Sequence, residues 1–451
     1  MGRPTSSDLG LITSVVFISG FVGAFFVPTL ADRYARRLTL FFGSSLCVIG
    51  AAVQTAAQSK AMFIGGRLII GFGISFTTSA GPSLLNELAH PRMRGQIAAS
   101  FNVLWYVGSI FAAWISFGTG HMSSSWAWRV PSLVQGIPAL LLATAVISIP
   151  ESPRYLYAKG RTSEARELLV RYHANGRQDD ELVESELCKI AAALQLEKDS
   201  RLMTWSTMLK SPANRKWFGI CIAVALLTLW NGLGVVSYYF SPILTSIGIT
   251  GSNQQTGING GMQIWNLLCS ILGTYLAERI GRRPLWLASF IGMMMANVPM
   301  TVSSARYAAN GSKGAAYPTV FFLFLYNAAF NIACNPLLYS YSTELFPYSI
   351  RARGLGLQIL VSNAARTVNQ YVNPIALENI GCWYFVFYLG MLIVGTIFIY
   401  LFFPETKGFT LEELAQIFEK DDQRRMEVVQ GVDLVSSETA AEEVRYEPKL
   451  A

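Results

Sequence analysis

The sequence predicts an all-α membrane protein built from two repeated helical bundles. Three observations carry this: a composition poor in charge, a series of uncharged runs each long enough to cross a bilayer, and a set of charged loop motifs that occurs twice. Of 451 residues, 52% are hydrophobic and only 14% charged. A water-soluble chain of this size needs a far more charged surface. The formal charge of +7 could suit a nucleic-acid partner, but the cations sit in short clusters between apolar runs. The expected partner is therefore the lipid bilayer, and no nucleic acid.

A membrane-crossing helix needs about 20 apolar residues. Uncharged runs cover residues 9–30, 38–59, 96–128, 130–150, 284–305, 314–343 and 379–404. Runs 61–86 and 354–377 hold one charge each, Arg67 and Arg366, and 217–277 is long enough for two spans. The count is eleven, five before a polar stretch at 151–213 and six after it. Three domains and a tail follow: an N-terminal bundle at 1–150, a helical linker at 151–213, a C-terminal bundle at 214–404, and a largely disordered tail at 405–451. The linker's apolar rhythm suits amphipathic helices lying under the bundles, and the tail is polar with mixed charge.

Lysine- and arginine-rich loops stay cytoplasmic. The basic connections are Arg33-Arg36-Arg37, Arg92-Arg94, the linker, Arg279-Arg282-Arg283 and Arg351-Arg353, and they alternate with nearly uncharged ones. The expected topology has the N-terminus outside, the C-terminus cytoplasmic, and a candidate glycosylation site at Asn310 outside. The six cysteines are scattered without a CxxC pair, and three histidines are dispersed. Neither pattern suits a metal site. No cofactor is expected, and the chain lacks the HExxH, GxSxG or intramembrane acidic cluster of an enzyme.

The loops repeat. Residues 30–37 (LADRYARR) resemble 276–283 (LAERIGRR), Glu87 leading to Arg94 resembles Glu344 leading to Arg353, and Pro150-Glu151-Ser152 resembles Pro404-Glu405-Thr406. Three ordered matches at one offset imply bundles related by an axis along the membrane normal. Asp32, Arg36, Arg37, Glu87, Arg94, Glu151 and Arg154, with Glu278, Arg282, Arg283, Glu344, Arg353 and Glu405, are expected to form a cytoplasmic charge latch. It would pair when the inner side closes and separate when the bundles rock apart.

These motifs, with Gly66-Arg67, Gly71, Gly73, the PESPR run at 150–154 and the PETKG run at 404–408, carry a resemblance. The chain resembles the sugar porters of the major facilitator superfamily over nearly its whole length. Residues 230–239 look like the fungal lactose-permease-like/hexose transporter branch. The resemblance implies a major facilitator fold of twelve helices, here about eleven, with the first member of the pattern absent. It also implies alternating access around a central sugar site, a monomer, and proton symport in the complete form.

Polar side chains in lipid are costly unless they face the bundle interior. Asn102, Asn266, Asn331, Asn335, Asn363 and Gln370 are such residues, and amides suit sugar hydroxyls because they donate and accept. Trp105, Trp230, Tyr238 and Tyr339 could cover a sugar's apolar face. Helix–helix adhesion and plain packing remain open for each. The resemblance adds that Asn102, Asn266, Asn331, Tyr339 and Asn363 stand at substrate-contacting positions. The paired glutamines usual in the family's seventh helix appear as Thr228, kept as a substrate-binding candidate, and Leu229, and a nearby asparagine as Gly234. Asn363, Arg366, Gln370 and Asn373 share one helix face by spacing, and this stripe is expected to line the pathway. In proton-coupled relatives the arginine matching Arg67 faces an acid on the first helix. Here Arg67 has no evident partner, and it stands with Arg366 and Gln370 as a pathway candidate.

The expected function is transmembrane movement of a mono- or disaccharide or related polyol, at the plasma membrane. A non-transporting sugar sensor and an inactive truncated copy stay open as alternatives.

Overall fold

The computed structural model describes residues 5–407 apart from 203–204, 239–243, 246–247, 311–315, 347 and 382. Regular structure within that set is helical. The N-terminal group comprises α1 (Ser6–Tyr34), α2 (Arg36–Thr55), α3 (Lys60–Leu88), α4 (Arg94–Thr119) and the broken pair α5 (Trp126–Val134) and α6 (Gly136–Ser148). The linker holds α7 (Pro153–Ala158), α8 (Thr162–His173), α9 (Glu181–Leu202) and α10 (Trp205–Lys210). The C-terminal group comprises α11 (Pro212–Leu229), α12 (Leu233–Tyr238), α13 (Ser252–Ile280), α14 (Arg282–Asn310), α15 (Ala316–Leu345), α16 (Tyr348–Ile380) and α17 (Trp383–Phe402). Most of the tail lies outside the described residues.

Local chemistry sets several boundaries. Thr5 and Asp8 start α1 with a capping box, each side chain bonded to the other's backbone N–H at 3.2 Å. Ser59 caps α3 through Met62 N, and Ser152 caps α7 through Tyr155 N. The chain turns from α1 to α2 at Ala35, φ 84°, and from α13 to α14 at Gly281, φ 109°.

The two groups pack by different means. In the N-terminal group, small residues let backbones meet. A Cβ at Gly71 would stand 2.2 Å from the Val16 carbonyl oxygen, and one at Gly73 2.7 Å from that of Gly43. The C-terminal group has a large apolar and aromatic core. Trp286, Phe290, Tyr326, Tyr341 and Phe403 are each at most 2% exposed.

Eight stretches among the described residues are long and apolar enough to cross a bilayer. They lie on α1, α2, α3, α5–α6, α11–α12, α14, α15 and α17. The other three expected spans are helices too, α4, α13 and α16. α4 is apolar over the described stretch Val103–Thr119, and α13 and α16, the more polar two, run 29 and 33 residues. Even 29 residues reach roughly 45 Å at 1.5 Å each, beyond a ~30 Å hydrocarbon layer. Their polarity has a location, because α4 packs on α13 and α1 on α16 across the seam between the groups.

Candidate functional site

The seam is polar at mid-depth. Asn327, Asn331 and Asn335 recur every four residues on α15, so they share a face. The Tyr106 hydroxyl on α4 donates to Asn331 Oδ1, joining the two groups. Asn331 Nδ2 donates to Asn266 Oδ1 on α13 at 3.1 Å and to Asn327 O at 2.9 Å. Asn335 Nδ2 reaches Ser270 Oγ at 3.2 Å. Tyr106, Asn266 and Asn331 are all buried, so the chain of bonds is satisfied inside the protein rather than by lipid.

Contacts that close the seam lie toward the end opposite the basic loops. Thr13 Oγ1 donates to Gln370 O at 3.3 Å. A Cβ at Gly10 would meet Tyr371 O at 2.8 Å, and Gly260 and Gly257 lie against Trp114 and Phe117.

On α16, Asn363 and Arg366 are half-buried, while Gln370 and Asn373 are buried. The chain breaks beside this stripe, between α11 and α12, at 230–232, where Gly232 takes φ 94°. Trp230 Nε1 donates to Ala365 O at 3.2 Å, fastening the break to α16. The Tyr326 hydroxyl donates to Asn231 O. Asn373 Oδ1 accepts from Tyr384 and Tyr388 at 2.7 and 2.8 Å, and Asn369 Nδ2 donates to Leu229 O at 2.6 Å. A Cβ at Gly234 would lie 3.0 Å from Asn369 Nδ2. The space where the family's asparagine is usual is therefore bordered by amides from α16.

Some sequence-derived assignments change. Thr228 is 3% exposed and its hydroxyl donates to Val224 O at 2.7 Å, so in this conformation it presents no donor to a solute. Trp105 is 68% exposed, while its neighbour Tyr106 makes the contact across the seam. Arg67 does have partners: Nη1 donates to Ile12 O at 2.9 Å and the guanidinium sits 5.5 Å from the Phe63 ring. The side chains of Asp32, Arg94, Asn102, Tyr238, Glu278, Asn310 and Tyr339 lie outside the described set.

The clasps described at the basic end of this conformation run within each group. Arg36 pairs with Glu87 at 3.0 Å, and Ser152 Oγ donates to Glu87. Arg282 pairs with Glu344 at 2.8 Å, and Thr406 Oγ1 donates to Glu344 at 2.6 Å. Glu151 accepts from Arg37 N at 3.3 Å, while Glu405 accepts from Arg282 N and Arg283 N at 2.9 and 3.0 Å. Arg37 and Arg283 reach carbonyls on α6 and α17, respectively. Arg154 and Arg353 stand half-buried nearby in the chain. The sequence repeat thus becomes a repeat of contacts. The two clasp carboxylates shift oppositely. Burial pushes Glu151 above the usual carboxylate value, with Ser152 and Arg37 N–H groups opposing. At Glu405 burial also pushes upward, but N–H groups of Lys407, Arg282, Arg283 and Thr406 together outweigh it and hold the carboxyl low.

Sequence reasoning missed Tyr106, Asn369, Tyr384 and Tyr388. Tyr106 falls four residues beyond Asn102, and Asn369 four before Asn373, so helical spacing from residues already singled out was the available signal. The tyrosines of α17 sit in an apolar helix and gave none.

Comparison with known proteins bears on what this seam is for. The family described as "Sugar (and other) transporter" matches residues 2–418. Sugar transport protein 5 of Arabidopsis thaliana is 29% identical over 420 residues, 92% of this chain and 82% of that protein. Putative metabolite transport protein YncC of Bacillus subtilis (strain 168) is 30% identical over 433 residues, 93% of this chain and 88% of that protein. The inward-open conformation of the xylose transporter XylE from E. coli superposes with a TM-score of 0.74 at 20% identity, covering 91% of this chain and 89% of that one. XylE bound to 6-bromo-6-deoxy-D-glucose, titled a proton:xylose symporter, gives 0.73 at 21% identity, covering 91% and 89%.

Proposed function

Since the chain belongs to the sugar (and other) transporter family, we propose that it carries a mono- or disaccharide, or a related polyol, across a membrane by alternating access. Its relatives are transporters, not enzymes, and its fold is the all-α major facilitator fold. The observation that carries the proposal is the buried chain Tyr106–Asn331–Asn266, which spans the seam at mid-depth. Amides there bond one another while the seam is closed at this depth, and the same donors and acceptors would serve hydroxyls once the groups part; the four helices around the seam belong to both groups. Contacts at the end opposite the basic loops support reading this conformation as closed there. By the distribution of lysine and arginine, the basic end is cytoplasmic, and the plasma membrane is the proposed location. Rocking the groups would break the Tyr106–Asn331 bond and open the opposite end, while the clasps keep each group rigid.

Proton coupling belongs to the same proposal. The test is initial uptake of labelled mono- and disaccharides by transport-deficient cells expressing the chain, at two external pH values. Saturable uptake, faster in external acid, is expected. Uptake indistinguishable from empty cells for the whole panel would refute transport, and equal rates at both pH values would reduce the proposal to passive exchange.

A further inference from the structure

We propose that the solute bears a carboxylate, making it a sugar acid of the uronic or aldonic class, and that Arg366 takes its charge. This rests on the transport reading and narrows it.

Arg366 lies near the middle of a 33-residue helix that faces the seam. A guanidinium at the bilayer centre costs about 2.5–3.5 kcal/mol even on the mildest scale, and more on others. In a helix centred on a ~30 Å layer, this position would stand ~15 Å from either interface, too far for the side chain to snorkel. Other arginines have partners: Arg36 and Arg282 pair with glutamates, and Arg67 holds the Ile12 carbonyl over Phe63. Arg366 makes no hydrogen bond, ion pair or ring contact among the described residues.

The described residues offer no counter-charge at its depth. From 214 to 407 the only carboxylates are Glu278, Glu344, Glu378 and Glu405. Each stands at or just beyond a helix end: α13, α15, α16 and α17 in turn. Glu378 shares the helix with Arg366 but lies twelve residues on, roughly 18 Å along the axis. In the N-terminal group Asp8 is committed to Lys60 at 2.6 Å, and Glu87 to Arg36. Among the described residues, then, no carboxylate is available to Arg366, and a solute that carries one would supply it.

The surroundings say what kind of anion. Asn363 stands one turn away, and Trp230 is fastened to the carbonyl of Ala365, next in the chain. Asn231, 1% exposed at the helix break, keeps an unpartnered Nδ2. Amide donors and an aromatic ring fit a hydroxylated ring, and a planar guanidinium fits a carboxylate in two parallel bonds. One unpaired guanidinium balances a monoanion. A sugar phosphate would leave a charge over.

The test uses the purified full chain in liposomes, with labelled galacturonate, gluconate and galactose, for wild type, Arg366→Gln and Arg366→Lys. Galacturonate or gluconate uptake is expected in wild type, with a loss of about ten- to a hundredfold in Arg366→Gln, the loss of one charge-assisted contact, and partial retention in Arg366→Lys. Thermal unfolding of wild type with galacturonate, galactose or chloride gives a readout free of variants: galacturonate should stabilise, and the other two should not. Galactose uptake with no sugar-acid uptake would overturn this inference and leave transport standing. Equal stabilisation by chloride, or sugar-acid uptake unchanged in Arg366→Gln, would also overturn it. No uptake of any solute would overturn both.

Discussion

Replacing Tyr106 with Phe removes one hydroxyl and little else. That hydroxyl donates to Asn331 Oδ1 and is the polar bond described between the two groups at mid-depth. Asn331 keeps its bonds to Asn266 and Asn327, so the amide stays in place while Oδ1 loses its donor. Side-chain hydrogen bonds between membrane helices contribute about 0.6 kcal/mol on average and about 1.7 at most. The bond exists only while the groups are together at this depth, so its loss falls on one of two states. The equilibrium should move roughly 3- to 18-fold toward the form open at the end opposite the basic loops. Spin labels at Gly118 on α4 and Gly261 on α13 would read this, because a Cβ at either meets nothing within 4 Å. In Tyr106→Phe the long-distance population should grow by that factor. An unchanged distance distribution, with folding intact, would refute the role given to this bond.

Three further outcomes follow from the same geometry. Ala35 holds φ 84° where its repeat partner is Gly281 at φ 109°, so Ala35→Gly should raise thermal stability by about 1–3 kcal/mol, and a lower melting temperature would contradict the strain. Gly71→Leu should abolish accumulation of folded protein, since even a Cβ meets the Val16 carbonyl at 2.2 Å, whereas Gly65→Ala, facing open space, should be neutral; size-exclusion profiles in detergent decide between them. Glu405 has a lowered folded value, so its stabilisation is present above its ordinary 4.5 and lost as pH falls through the folded value. The melting-temperature gap between wild type and Glu405→Gln should therefore shrink in acid, and a constant gap would count against the clasp.

The helices were legible because lipid enforces long uncharged runs and loop charges break them at regular intervals. The repeat was legible too, since Arg36, Glu87 and Glu151 recur as Arg282, Glu344 and Glu405. Whether those charges pair within a group or across the seam was not, because spacing along a chain says nothing about which neighbour a loop meets. Arg67 shows the same limit: its partner is a backbone carbonyl, and every residue type carries one. Thr228 looked available as a hydroxyl in a membrane helix, yet such a hydroxyl can always bond the carbonyl four residues back. α13 and α16 are the opposite case. Their polar composition weakens them as spans, and the same composition marks them as the walls of the seam.

Counterflow in liposomes tests the central claim most directly. Vesicles holding the purified chain are loaded with unlabelled sugar or sugar acid and diluted into a trace of labelled solute. A two-state carrier predicts a transient accumulation of label above its equilibrium level, followed by decay. Solute binding by the protein with no such overshoot would contradict alternating access and leave a chain that only senses its ligand.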